Sequence, residues 1–182
     1  VPRKKYGIEL LLGTELNIMN ARGEIDLPDS VLERLDIAIA SIHMPCFKDE
    51  RTIDNITAAY EKVMEHPYVD IIGHPDDGRF PVDMKRLVKK AKETGTLLEV
   101  NNSSLRPEGF RENTKENCLE MVKECKAQGV MIVLGSDSHV DADIAEYPYA
   151  EEILRETDFP EELVANVSLK KLKACIKHGK KL

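Results

Sequence analysis

The sequence predicts an α/β protein built on a parallel sheet of the barrel type. Short apolar segments alternate with amphipathic segments along the chain, which is typical of repeated strand–helix units. Polar side chains that bind metals follow the C-terminal ends of successive predicted strands. In a barrel all these strand ends meet on one face, whereas an open doubly wound sheet spreads them along a line. The pattern therefore favours a barrel over an open sheet.

Strands are predicted where apolar residues, many of them β-branched, form short runs bounded by turn residues. They cover residues 8–18, 35–43, 68–74, 96–102 and 130–139. Helices are predicted where apolar residues recur every three or four positions. They cover residues 52–66, 82–95, 113–129, 144–158 and 168–179, with Ser168 as an N-cap and Gly95, Gly129 and Gly179 as stops. We interpret His66 and His178 as residues at helix C-termini that interact with the helix dipole.

The composition is that of a single globular domain, which we expect to cover residues 1–182. The net charge of −7 argues against a non-specific nucleic-acid binder, because a duplex repels an acidic surface. We find no signal peptide and no apolar run that could span a bilayer, so no membrane partner is expected. The four cysteines are scattered without a CxxC pair, and a reducing cytoplasm is the expected compartment.

The stretch "VLGSDSH" (133–139) ends a predicted strand in two side chains of the kind that bind metals, Asp137 and His139. They lie two residues apart, so on an extended segment both face the same side. His43 and His74 each follow another predicted strand. One such histidine alone is more often a hydrogen-bonded core or loop residue. Since three of the five histidines share this placement, we predict a shared site for zinc, manganese or iron.

Further charged residues lie near the same strand ends. Glu15, in "GTELN", is flanked by apolar residues and is predicted to face inward as a bridging carboxylate. Glu99, in "LLEVNN", is interpreted either as a group that orients a metal ligand or as half of a buried salt bridge. Arg79 and Arg106 follow strands on the same face. They are either exposed loop charges or a clamp for phosphate, whose oxygens match the guanidinium fork.

Five motifs in this order, "GTELNI", "SIHMP", "IIGHP", "LEVNNSS" and "LGSDSH", resemble the PHP (polymerase and histidinol phosphatase) family. The likeness is greatest to its YcdX-like phosphatase subgroup, and it covers nearly the whole chain. It implies a distorted (β/α)7 barrel, similar to a TIM barrel, that holds two or three divalent metal ions. The implied metal ligands are Glu15, His43, His74, Asp137 and His139, with Glu15 bridging two ions.

The family opens with an HxHxH-type motif on a strand before the one that corresponds to "GTELN", and this sequence has no such motif. We therefore expect the barrel to be incomplete at its N-terminus, with the first strand–helix units absent. An incomplete barrel exposes strand edges and inner apolar faces, which tend to pair with another chain. Self-association through the open side is the expected consequence.

The predicted function is hydrolysis of a small phosphomonoester by a metal-activated water. Asp137 and His139 are the predicted catalytic residues, with His139 assisting the leaving alkoxide, and Arg79 or Arg106 is predicted to hold the substrate phosphate. One alternative is a phosphodiesterase or exonuclease of the same family. Another is a non-catalytic remnant that binds metal.

Overall fold

A computed structural model describes residues 7–178 and the backbone of Lys4–Lys5. The strands in this part of the chain are β1 (Lys4–Lys5), β2 (Ile8–Glu9), β3 (Gly13–Asn17), β4 (Ile37–Ser41), β5 (Ile71–Ile72), β6 (Leu97–Asn101) and β7 (Ile132–Gly135). The α-helices are α1 (Asp29–Leu32), α2 (Ile53–Met64), α3 (Met84–Thr94), α4 (Thr114–Gln128), α5 (Pro148–Glu156) and α6 (Leu169–Cys175). Single 3₁₀ turns lie at Asp141–Asp143, Glu161–Leu163 and Ala165–Val167.

Strands β3 to β7 form a five-stranded parallel sheet in the order of the chain. Each strand lies beside the next one in sequence, so all their carboxyl ends lie at one edge. The prediction of an α/β fold with a parallel sheet is confirmed. The long strand predicted at 8–18 is divided, because β2 pairs antiparallel with β1 whereas β3 pairs parallel with β4.

The helix ends follow the local signals in the sequence. The side chains of Thr52, Asp83 and Ser168 each accept a hydrogen bond from the backbone N–H three residues later. Gly95 and Gly129 end α3 and α4 in the left-handed conformation, with φ of 67° and 69°. Among the helices of the described residues, none combines the length and the apolar content needed to cross a membrane.

One face of the sheet is fully buried, and the second face is only partly covered. Alternate residues such as Ala38, Ile72 and Leu98 pack against α2 to α5 in the main core. On the other face a smaller cluster forms around Ile71 and Leu97 and is covered by the C-terminal segment that contains α6; its buried members are Ile71, Leu97, Val133, Ala165 and Ile176. The C-terminal segment thus covers the apolar half of the second face. The half nearer the carboxyl ends of the strands carries the polar residues of the candidate site.

The end of the described chain differs from the expectation for His178. Helix α6 ends at Cys175, and Ile176 is extended (φ −84°, ψ 145°). His178 is buried, with Nδ1 2.6 Å from Asp70 Oδ2 and Nε2 3.0 Å from the Leu32 carbonyl oxygen. These side-chain and backbone partners, and not a helix dipole, hold it in place. The expected stop at Gly179 lies outside the described residues.

Candidate metal centre

Three predicted metal ligands meet at the carboxyl edge of the sheet. Glu15 lies in β3, His43 follows β4, and His74 follows β5. Glu15 Oε1 is 3.1 Å from His74 Nε2 and 3.4 Å from His43 Nε2. One ligand atom from each residue lies within 4.8 Å of the other two. The three residues form a compact group, named here the Glu15 triad, that could hold a metal ion.

Strand alternation brings Glu15 and His43 to the same face of the sheet. A strained backbone conformation at His74 brings this third residue to that face as well. Glu15 is opposite Ile39 in the register of β3 and β4, so the two side chains share a face. His43 lies four residues after Ile39 and returns to that face. His74 would point to the helix side by the same alternation, but its φ of 31° turns the chain and brings its ring back. A left-handed non-glycine residue of this kind is often found at functional sites.

The triad fits a divalent cation in its spacing, its burial, its charge and its donor set. Two donors, each roughly 2.1 Å from a tetrahedral ion, lie roughly 3.4 Å apart, close to both separations given above. His74 is almost fully buried, and its Nδ1 has no hydrogen-bond partner among the described residues. Hydrogen bonds from His43 and then His74 hold the pKa of the Glu15 carboxyl far below its usual range, so Glu15 is charged. One carboxylate and two imidazoles are a donor set that suits zinc, manganese and iron.

Glu99 lies buried beside the triad. Its Oε2 accepts hydrogen bonds from the His74 backbone N–H at 2.8 Å and from Asn101 Nδ2 at 3.1 Å. Burial raises the pKa of the Glu99 carboxyl. The carboxyl occupies the space that Gly135 leaves, since a Cβ added there would overlap Glu99 Oε1. Glu99 thus holds the strained backbone of His74, and these contacts favour the ligand-orienting interpretation over a salt bridge.

Gly135→Ala is expected to lower the free energy of unfolding by about 2 kcal/mol, because the added methyl displaces the buried Glu99 carboxyl. Urea denaturation measures this change. Ser136→Ala, at the next residue and only partly buried, is the control and should alter stability little. A Gly135→Ala variant as stable as the unsubstituted protein would contradict the close packing of the Glu99 carboxyl against Gly135.

Asp137 lies at the same edge but outside the Glu15 triad. Its Oδ2 accepts hydrogen bonds from Arg111 at 3.2 and 3.3 Å and from Asn101 Nδ2 at 3.3 Å. Since Asn101 also donates to Glu99, two hydrogen bonds connect Asp137 to the carboxyl that holds His74. Asp137 is therefore joined to the triad through this network.

His139 is exposed, and its Nδ1 lies 3.1 Å from the carbonyl oxygen of Asp137. The expectation that Asp137 and His139 face the same side assumed an extended segment. Strand β7 ends at Gly135, and Asp137 has a φ of 50°, so the chain is not extended between the two residues. The alternation rule does not apply past that turn.

Both predicted phosphate-binding arginines carry carboxylate partners. Arg79 forms an ion pair with Asp77 at 2.5 Å, and Arg106 forms one with Asp143 at 2.7 Å. The buried arginine that contacts Asp137 is Arg111, which sequence reasoning missed. It occurs in the loop "RPEGFREN" beside other charged residues, and no local pattern separates it from a solvent-exposed charge.

A second residue missed in the sequence is Asp76, in "HPDDG". It is almost fully buried, and burial, followed by repulsion from Glu99, raises the pKa of its carboxyl to about 7. The proline and the paired aspartates of this motif are typical of an exposed turn, so burial of Asp76 could not be expected from the local sequence.

The chain is similar over its whole length to curated relatives that are named probable phosphatases. One from Clostridium novyi (strain NT) is 46% identical over 182 residues, which are 100% of this chain and 73% of that relative. One from Acetivibrio thermocellus is 41% identical over 180 residues, 99% of this chain and 73% of the relative. One from Thermoanaerobacter sp. (strain X514) is 39% identical over 181 residues, with shares of 100% and 73%.

A solved structure has a similar fold. It is a histidinol phosphate phosphatase from Lactococcus lactis subsp. lactis, in complex with zinc, L-histidinol and phosphate. The two structures match with a TM-score of 0.57 at 16% sequence identity, over 85% of this chain and 69% of the other. At that identity the likeness establishes the fold alone. No family model matches the chain.

Proposed function

This chain belongs to the family of its probable-phosphatase relatives, and we propose that it hydrolyses a small phosphomonoester with divalent metal ions held at the Glu15 triad. The observation that carries the proposal is the convergence of one charged carboxylate and two imidazoles, from three neighbouring strands, within 4.8 Å. A divalent ion bound there would polarise phosphate oxygens and acidify a water molecule, which is the chemistry that phosphate-ester hydrolysis requires.

The residues around the triad have separate roles in this proposal. Glu15 supplies negative charge between the two histidines, in line with a bridging role between ions. Glu99 fixes the backbone of His74 through the 2.8 Å hydrogen bond to its N–H. We further propose Asp137 and His139 as metal ligands and catalytic groups; Asp137 is joined to the triad by hydrogen bonds, whereas His139 is exposed. Two or three ions, of zinc, manganese or iron, are proposed, and this ligand set supplies only part of their coordination.

Arginines at the rim of the site are proposed to hold the substrate phosphate. Arg106 is partly exposed and bound to Asp143 by a single nitrogen at 2.7 Å, so its guanidinium retains free N–H groups. Arg79 is bound more firmly, because Asp77 accepts hydrogen bonds from its Nε and one terminal nitrogen. Arg106 is therefore the better candidate for a substrate contact.

We propose that the five-stranded parallel sheet is part of a distorted (β/α)7 barrel of the PHP type, in its YcdX-like subgroup. Among the described residues β3 is an edge strand of the five-stranded sheet, and we propose self-association through this edge. Sedimentation velocity across a range of protein concentrations would detect it; a monomer at every concentration would exclude it.

Metal removal tests the proposed reaction. We expect the protein to hydrolyse p-nitrophenyl phosphate, to lose at least roughly a hundredfold in turnover after exhaustive chelation, and to recover it with zinc, manganese or iron(II). Bis(p-nitrophenyl) phosphate, a diester, is the matched substrate control. Faster hydrolysis of the diester would favour the phosphodiesterase alternative. Stoichiometric metal binding without turnover of either ester would favour a non-catalytic metal-binding domain.

A further inference from the structure

On the side of His43 that faces away from the triad, two polar residues, Asn17 and Asp26, form a chain of hydrogen bonds to its ring. Neither residue has a role in the proposed function. The Nδ1 of His43 lies 2.8 Å from Asn17 Oδ1. Asn17 is in turn held by Asp26, whose Oδ2 accepts from Asn17 Nδ2 at 2.6 Å and whose Oδ1 accepts from the Asn17 backbone N–H at 2.9 Å. We propose that Asn17 and Asp26 are positioning residues that hold a proton on His43 Nδ1 and so direct Nε2 to the triad as the nitrogen able to bind a metal ion. The inference rests on the proposed function only in treating His43 as a metal ligand.

The carboxylate of Asp26 determines which way the Asn17 amide faces. An ionised carboxylate only accepts hydrogen bonds, so the Asn17 atom 2.6 Å from Asp26 Oδ2 must be the NH₂ nitrogen. The reversed amide would bring its carbonyl oxygen against the carboxylate, with two acceptors and no proton between them. The carbonyl oxygen of Asn17 therefore faces His43.

That orientation determines the tautomer of His43. A carbonyl oxygen carries no proton, so the short contact between Asn17 Oδ1 and Nδ1 requires the ring to donate from Nδ1. In a neutral imidazole the other nitrogen, Nε2, is then the one with a free lone pair. Nε2 is also the atom 3.4 Å from Glu15 Oε1, whose charge favours a proton on Nε2 as long as no metal ion is bound. The nitrogen that faces the triad is thus the one able to bind a metal.

The local fold explains how Asp26 reaches Asn17 from nine residues away. A bridge between Ile18 and Ile25 folds the chain back on itself directly after β3. Gly23 makes the turn possible with a φ of 74°, and the Met19 N–H donates to the Glu24 carbonyl oxygen at 2.7 Å. The turn thus returns Asp26 to the end of the strand that carries Glu15.

The arrangement resembles the pairing of a metal-bound histidine with a carboxylate, with an amide placed between the two. Partners that orient a ligand in this way typically contribute 10- to 100-fold in metal affinity. We expect a loss of roughly that size when Asp26 is replaced, because the amide is then free to rotate and the ring can exchange tautomers.

Long-range ¹H–¹⁵N correlation of the metal-free Glu15→Ala variant at pH 9, in which no carboxylate competes for a proton on Nε2, tests the tautomer without reference to metal or activity, with His43 assigned through His43→Gln. In Glu15→Ala we expect a protonated Nδ1 and an unprotonated Nε2. When Asp26→Ala is added to this background we expect a mixture of tautomers, and in the single variant Asp26→Ala we expect a zinc Kd weaker by roughly 10- to 100-fold. Asp26→Asn keeps the shape and one acceptor, should give an intermediate result, and replaces Asp26→Ala if that variant does not fold.

Asp49→Asn is the matched control. Asp49 supports the same turn by accepting from the Ala21 N–H at 2.9 Å, and within the described part of the chain it forms no hydrogen bond with Asn17, so this variant should leave the His43 tautomer unchanged. A protonated Nε2 in Glu15→Ala, or a tautomer unchanged by both Asp26 substitutions in that background, would overturn the inference. If His43 has the expected tautomer but zinc does not bind to the unsubstituted protein, the inference stands and the proposed metal site fails.

Discussion

Glu15→Gln is expected to remove metal binding at the triad and to lower phosphomonoesterase turnover by at least roughly a hundredfold. Glutamine keeps the size of the side chain but removes the charge that lies 3.1 and 3.4 Å from the two histidines. Metal content by elemental analysis and steady-state kinetics measure the two effects. Glu15 is partly exposed at the sheet edge, so the fold should persist.

The matched control for Glu15→Gln is Glu120→Gln, which makes the same chemical change on the exposed surface of α4 and should alter neither quantity. Full metal occupancy in the Glu15 variant would remove this carboxylate from the site. If the metal occupancy of Glu15→Gln is retained while its turnover is lost, Glu15 would contact the substrate or the attacking water and not the metal ion.

Asp137→Ala is expected to lower turnover by at least roughly a hundredfold and to reduce metal content, since it removes a proposed ligand at the end of β7. It also leaves the buried guanidinium of Arg111 without its partner at 3.2 Å. Loss of that partner alone would lower stability without changing metal content, so urea denaturation and metal analysis separate the two roles. Wild-type turnover with full metal content would exclude Asp137 from the site.

Arg106→Ala serves as the comparison for Asp137→Ala. Its proposed role is contact with the substrate phosphate, so it should raise KM more than it lowers metal content. If Arg106→Ala instead lowers metal content as much as Asp137→Ala does, the ion pair between Arg106 and Asp143 would stabilise the metal site, and Arg106 would not be a substrate contact.

Local patterns in the sequence predicted most of the parallel sheet and its helices. Short apolar runs located β4, β6 and β7, and capping residues such as Thr52 and Gly129 mark helix ends within a residue or two of those expected. These features depend on neighbours in the chain, so a single sequence contains them. The 182-residue chain's own sequence could not establish whether the sheet closes into a barrel, because closure depends on pairing between strands far apart in the chain.

The sequence by itself determined that Glu15, His43 and His74 lie at the same edge, because each lies in or directly after a parallel strand. Only the tertiary structure decided which other groups reach them. The left-handed backbone of Asp137 separates His139 from the face that alternation assigned to it. The partners of the site, Glu99 on His74, Arg111 on Asp137 and Asp26 on Asn17, meet through hydrogen bonds between distant residues. Alternation determines the direction of a side chain only while the backbone stays extended, whereas these contacts depend on the packing of separate elements.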